Sequence, residues 1–199
     1  GCSRKTVTSQ NSVWFIAKST NTEFWKSAFA GANAAKSEYN VDLTICGPET
    51  EEDYEEQNRL IDEAVAAGAD AIVYSAISYT KNAEAITRAA KQGLKIAVID
   101  SDVDSDGVGV RIGTDNVEAG RMAGRAALQT DWDSRTVGIV NFDLGSRNGQ
   151  ERESGFREAL AGDPRVKDIY TINVNADATT AQVRTVQLLV EHPEINVIV

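Results

Sequence analysis

The stretch V-W-F-I-A-K-S-T-N-T-E-F-W, Val13 to Trp25, passes from an apolar run through small polar residues into a long alanine-rich segment. Val13-Trp14-Phe15-Ile16-Ala17 has the unbroken apolar character of a strand buried on both faces. The polar residues after Ala17 carry the signals of a helix start: Asn21 or Thr22 can cap it with a side-chain oxygen, and Glu23 suits its positive end. Capping explains the Ser/Thr/Asn part but requires neither Lys18 nor the adjacent aromatics Phe24 and Trp25. One reading solvates Lys18 and packs the aromatics inside. The other makes this turn a rim that faces a ligand.

The same handover repeats downstream. Short β-branched runs at 13–17, 43–46, 71–74 and 96–99 alternate with helix-period segments at 24–39, 54–67 and 82–92. Continuous apolar strands alternating with helices signal a parallel sheet covered on both faces. Gly68 and Gly93 each stop a helix just before the next strand, as left-handed caps do. The rhythm breaks after Asp100, where a polar loop at 101–107 precedes an isolated strand at 108–112 and a helix at 117–128. Alternation then resumes with strands at 136–142, 169–174 and 196–199 and helices at 149–160 and 179–191. A crossing between lobes is expected near Thr114 to Asn116. The predicted fold class is α/β, with two Rossmann-like doubly wound parallel-sheet lobes: a tether at 1–11, a first lobe at 12–114 and part of a second at 115–199. Val197-Ile198-Val199 supplies only a third strand to the second lobe, whereas such lobes usually have about five or six. The second lobe is therefore expected to be incomplete and the chain to be a truncated piece that by itself binds ligand weakly or not at all.

The 199 residues carry a formal net charge of -10 and a sequence pI near 4.6. No Lys/Arg cluster offers the phosphate contacts that nucleic-acid binding needs, and no apolar run approaches the roughly 20 residues of a membrane span. Cys2 follows Gly1 and precedes a polar Ser/Thr-rich tether. Gly-Cys is how a bacterial lipoprotein signal ends, with Cys becoming the lipid-modified first residue; an accidental terminal cysteine is the other reading. Cys46, within Leu43-Thr44-Ile45-Cys46, reads as an inert core thiol.

In doubly wound sheets, ligands sit outside the carboxyl ends of the strands. The residues there are 18–25, 75–78, Asp100-Ser101, 114–116, 143–150 and 175–177, rich in hydroxyls, amides and carboxylates. That mix suits a polyhydroxylated ligand, because amides and carboxylates bridge vicinal hydroxyls while aromatic faces stack on the C–H side of a sugar ring. Other signals have plainer readings. Asp102 to Gly107 copies the first half of a calcium loop, but the twelfth position is Gly113 instead of a bidentate Glu, so no metal site is expected. The acidic run at 49–56 reads as a solvated helix start. Arg147 and Arg152 either reach the ligand site or, for Arg152, pair with Glu151 or Glu153. His192 is expected to cap a helix C-terminus. A single His and no C-x-x-C leave neither a Ser-His-Asp triad nor a zinc site, and the chain does not read as an enzyme.

The ordered set S-T-N-T-E-F-W (19–25), G-A-D-A-I-V (68–73), I-A-V-I-D (96–100), I-G-T-D-N-x-x-A-G (112–120) and E-R-E-S-G-F (151–156) resembles the type I periplasmic sugar-binding proteins, in particular the ribose-binding branch, from Ser12 to Val199. The resemblance implies two lobes joined by three crossover strands that close on a sugar without a cofactor. It implies delivery to the permease of an ABC importer or, alternatively, to a membrane sensor, and it strengthens the reading of Cys2 as a lipid attachment that holds the protein at the periplasmic or cell-surface side. A transcription-regulator core on this fold would need a basic helix-turn-helix where the tether stands. Carried over residue by residue, Phe24 and Trp25 match the aromatic pair that sandwiches the sugar. Asp100 matches the carboxylate that takes ring hydroxyls, and Thr22, Ser75 and Thr114 match polar contacts; Asp177, which follows the second lobe's second strand, is a further candidate contact by its position alone. The chain departs from ribose binders at Ser101 and Gln150, where arginine is common, at Ala176, where an aromatic is usual, and at Lys18, where a small polar residue is. Lys18 is then expected to be the main positive donor to ligand oxygens, which points to a sugar acid or a ketose in preference to ribose.

Overall fold

The computed structural model describes residues 10–175 and 177–199; Cys2 and the tether up to residue 9, and Ala176, lie outside the described residues. The chain divides into two units between Ile112 and Gly113. In the first, β1 (Ser12–Ile16), β2 (Asp42–Cys46), β3 (Ala71–Tyr74), β4 (Lys95–Ile99) and β5 (Val108–Ile112) are all parallel and lie in the order β2-β1-β3-β4-β5. Helices α1 (Glu23–Tyr39), α2 (Tyr54–Ala66) and α3 (Ala83–Lys91) connect the first four strands. The second unit holds α4 (Asn116–Ala127), β6 (Arg135–Phe142), α5 (Arg147–Ala161), β7 (Val166–Val174), α6 (Ala178–Glu191) and β8 (Val197–Ile198), with a parallel sheet in the order β7-β6-β8.

Local chemistry sets the helix starts. Thr22, Asp53, Asp115, Ser146 and Asp177 each accept a backbone N–H of the first turn of α1, α2, α4, α5 and α6, filling one of the donors that a helix leaves open. Asn82, ahead of α3, makes no such cap. Its amide instead ties the loop before α3 to the first turns of α2, accepting from Ser78 N and donating to Tyr54 O and Asn58 Oδ1. The expected glycine stops stand: Gly68 and Gly93 have φ of 73° and 96°, where a Cβ would be strained.

The strand runs are apolar on both sides because both faces of the first sheet pack. Ile16, Ile72, Ile96 and Val98 meet Leu60, Ile61 and Ala64 of α2 and Ile86 and Ala89 of α3. On the other face, Phe15, Ala17 and Trp25 gather with Phe29, Leu43, Ile45, Val73 and Ile99. Cys46 is part of this packing as expected; burial, assisted by Glu63, pushes its thiol up to about 11, leaving almost no nucleophilic thiolate near neutral pH. The second unit centres on Val137, Ile139 and Leu160. His192 does sit at the C-cap of α6, but its backbone N–H makes the capping bond, to Leu188 O. Its ring stacks on Tyr170 with centroids 3.7 Å apart.

Two of the sequence motifs meet in space. Gly120 of I-G-T-D-N-x-x-A-G lies against the backbone of Arg152, and Gly155 of E-R-E-S-G-F lies against Val117 O and the backbone of Gly120. A Cβ at either position would overlap backbone that cannot move aside, so α4 and α5 pack main chain to main chain. We expect Gly120→Ala and Gly155→Ala each to cost about 1–3 kcal/mol or more in urea unfolding. Gly31→Ala, with open space around its new methyl in α1, should be neutral or stabilising by up to about 1 kcal/mol. Equal effects at all three positions would contradict this packing.

Candidate ligand-binding site

With β1 and β3 side by side at the centre of the sheet order, the connections leaving their carboxyl ends diverge to opposite faces and open the crevice in which this fold holds ligands. Gln57 secures the two strand ends. It shares one buried face of α2 with Leu60, Ile61 and Ala64, and its Nε2 donates to Ala17 O at 3.0 Å and to Ser75 O at 2.8 Å. Its Oε1 accepts from Tyr74 Oη at 2.9 Å and from Ile77 N at 3.0 Å. All four hydrogen-bonding positions of the amide are thereby used. Sequence reasoning missed this residue, although a glutamine on the apolar stripe of an amphipathic helix is a visible signal.

Around that fastening lies a chain of polar contacts. Lys18, expected to reach into the ligand site, is only 3% exposed. Its ammonium is within 3.5 Å of Ser101 Oγ and 3.7 Å from Glu51 Oε2, and Glu51 Oε1 accepts from Trp25 Nε1 at 2.7 Å. Ser101 is fully buried; its N–H donates to Ser75 Oγ at 3.1 Å and its carbonyl accepts from Ala76 N at 3.0 Å. Asp100 has φ of 61°, a left-handed conformation costly for a residue with a Cβ. Its N–H donates to Ile112 O, tying the end of β4 to β5. Glu51 belongs to the run read as a solvated helix start. The outer part of that run behaves so, with Asp53 capping α2 and Glu56 pairing with Arg59, but Glu51 turns inward.

The two aromatics part company. Trp25 is 1% exposed and lies edge-on to Phe15 with centroids 6.3 Å apart, whereas Phe24 is 61% exposed. Their rings stand at 89° to each other, so they do not present two parallel faces. Of the expected sandwich, Phe24 alone offers its ring at the surface, because the indole is taken by the core and by Glu51. Thr22 is half-buried and its hydroxyl accepts the Trp25 N–H.

In the second unit, Thr114 is exposed and its carbonyl accepts from Asn116 Nδ2 at 3.2 Å. Buried Asn116 also donates to Asn148 Oδ1 at 3.0 Å and accepts from Arg152 Nε at 2.9 Å. Of the two readings of Arg152, pairing with Glu151 or Glu153 gives way to this bond; Arg147 takes Glu151 and Arg157 takes Glu153. Gln150 is exposed and donates to Leu144 O. Asp177 caps α6, and the Thr180 hydroxyl with the Thr179 and Thr180 amides holds its carboxyl below the usual carboxylate range. In the calcium-like loop, Asp102 accepts from Arg111 Nε at 2.8 Å and from Val103 N. Among the described residues, no His/Cys/Asp/Glu group is arranged to hold a metal ion.

This division of the aromatics can be measured. Trp25→Ala should cost about 3–5 kcal/mol in urea unfolding, as large-to-small core changes do, while Phe24→Ala should stay within about 0.5 kcal/mol. Comparable losses for both would place Phe24 in the core as well.

Comparison with known proteins brings the two units under one heading. A family model described as periplasmic binding protein domain matches residues 13–199. The D-apiose import binding protein of Paraburkholderia graminis is 23% identical over 193 residues, covering 96% of this chain and 61% of that protein. The crystal structure of a sugar transporter from Clostridium phytofermentans is 31% identical and matches with a TM-score of 0.86 over 95% of this chain and 70% of that one. A carbohydrate transporter solute binding protein from Agrobacterium radiobacter, solved in complex with D-arabinose, is 27% identical, with a TM-score of 0.88 over 94% of this chain and 65% of that one. The chain thus spans 61% of the length of the Paraburkholderia graminis relative. With the family model matching from Val13 to Val199 across both parallel-sheet units, the chain belongs to the periplasmic binding protein domain family.

Proposed function

We propose that the protein is an extracytoplasmic solute-binding protein that captures a monosaccharide, or a related polyol or sugar acid, between two lobes at 12–114 and 115–199 and delivers it to an ABC importer. The observation that carries this reading is the family match across residues 13–199, joined to a polar set gathered at the carboxyl ends of β1, β3 and β4. Sugar transport stands in the descriptions of the three relatives, and one of them is described with D-arabinose. In the first lobe, the Asp100 carboxylate would accept ring hydroxyls and the exposed face of Phe24 would meet the apolar side of the ring. Lys18 and Ser101 supply donors beside them. Thr114 at the end of the first lobe, and Gln150 and Asp177 of the second, would contribute further polar contacts. The role is binding and release, without covalent chemistry or cofactor. We place the protein in the periplasm or at the cell surface, held to the outer face of the cytoplasmic membrane by a lipid on Cys2; intact-mass analysis of membrane-extracted protein should show a diacyl adduct that Cys2→Ser removes.

A thermal-shift panel of pentoses, hexoses, polyols and sugar acids tests the reading on the full-length protein. A ligand that binds only the folded state at about 100 times its Kd adds about 2.7 kcal/mol, which raises Tm by several degrees. At least one sugar should do so at micromolar to millimolar concentration. No shift from any member of the panel would refute sugar binding.

A further inference from the structure

We infer that Glu51 sets the charge class of the ligand, making the first lobe's binding surface select a neutral sugar over a sugar acid. The inference rests on the sugar-binding reading and deepens it. A lysine at the carboxyl end of β1 suggests an anionic ligand only if its charge lacks a counter-ion in the folded lobe. Here Glu51 Oε2 stands 3.7 Å from the Lys18 ammonium, and both side chains are largely withdrawn from water, at 14% and 4% exposure.

The carboxylate is also fixed in place. Its Oε1 accepts the indole N–H of Trp25 at 2.7 Å, and Trp25 is itself locked in the core against Phe15. Glu51 therefore cannot swing away without leaving a buried indole donor unpaired, which is unfavourable. The Lys18 and Glu51 pair has no net charge, and withdrawal from water leaves the field of each partner weakly screened. An incoming carboxylate drawn to Lys18 would meet Glu51 as well, a built-in penalty against one class of ligand. A neutral hydroxyl incurs no such penalty and still finds a charged N–H donor.

The substitution Glu51→Gln isolates the charge, because the glutamine carbonyl can keep accepting from Trp25 Nε1. Titration calorimetry on the full-length protein would compare matched probes, D-galactose with D-galacturonate, D-glucose with D-glucuronate and D-arabinose with D-arabinonate. The wild type should prefer the neutral member at least 10-fold. Glu51→Gln should shift that ratio toward the acid by at least 10-fold, and Lys18→Met/Glu51→Gln should not gain the acid. An acid-preferring wild type overturns the inference without any variant, as does a ratio that Glu51→Gln leaves unchanged or a gain of acid that persists in the double variant. A wild type that binds none of the neutral or acidic probes while another panel sugar raises its Tm overturns only the charge selection. No binding of any sugar overturns the sugar-binding reading and this inference with it.

Discussion

The structure of the first lobe depends on one buried amide. Gln57 holds the ends of β1 and β3 through Ala17 O and Ser75 O, and its own carbonyl takes the Tyr74 hydroxyl and the Ile77 N–H. A parallel sheet has to release its backbone at the carboxyl ends of its strands, and at a switch point two neighbouring strands release theirs in opposite directions. Groups set free there need partners, since a buried unpaired donor or acceptor costs about 1–3 kcal/mol. Gln57 provides four such partners from one residue, and with the strand ends held, Lys18, Ser75 and Ser101 come into reach of one another.

The second lobe solves its packing problem by a different route. Its helices α4 and α5 touch main chain to main chain at Gly120 and Gly155, with Gly124 continuing the contact toward Phe156 and Ala159. The Asn116 amide, bonded to Asn148 and Arg152, joins the start of α4 to α5. A resemblance carried by short motifs thus has a physical basis. Gly120 and Gly155 in those motifs are positions where no side chain fits.

Much of this was legible from residue order. The central strands β1, β3 and β4 were visible because their cores are short apolar runs packed on two faces, and the helices because apolar residues recur at helical spacing between those runs, with Thr22 marking the start of α1 by a hydrogen bond that spans three residues. The polar set of the site was visible as residues that follow strands. Which of those side chains are engaged was not visible, because the deciding partners are distant in sequence. Lys18 meets Glu51 and Ser101, and Trp25 meets Glu51 and Phe15. Read locally, Glu51 is one acid among several and Trp25 one of two aromatics; only the folded lobe sets them on a common contact. Gln57 was the one long-range partner with a local sign, a polar side chain at a core position of α2.

Amide hydrogen exchange at the carboxyl end of β3 tests the central role of Gln57 most directly. The Ile77 N–H, bonded to the Gln57 carbonyl, should exchange as slowly as amides inside β3 and β4. In Gln57→Leu, which keeps the helix and roughly the volume, the protection of Ile77 and of the neighbouring Ser101 amide should fall at least about 10-fold, corresponding to about 1.4 kcal/mol of local stability, while Ile72 and Val98 keep theirs relative to the global stability of the variant. Unchanged protection at Ile77 and Ser101 would contradict the account, since the strand ends would then hold their arrangement without the amide.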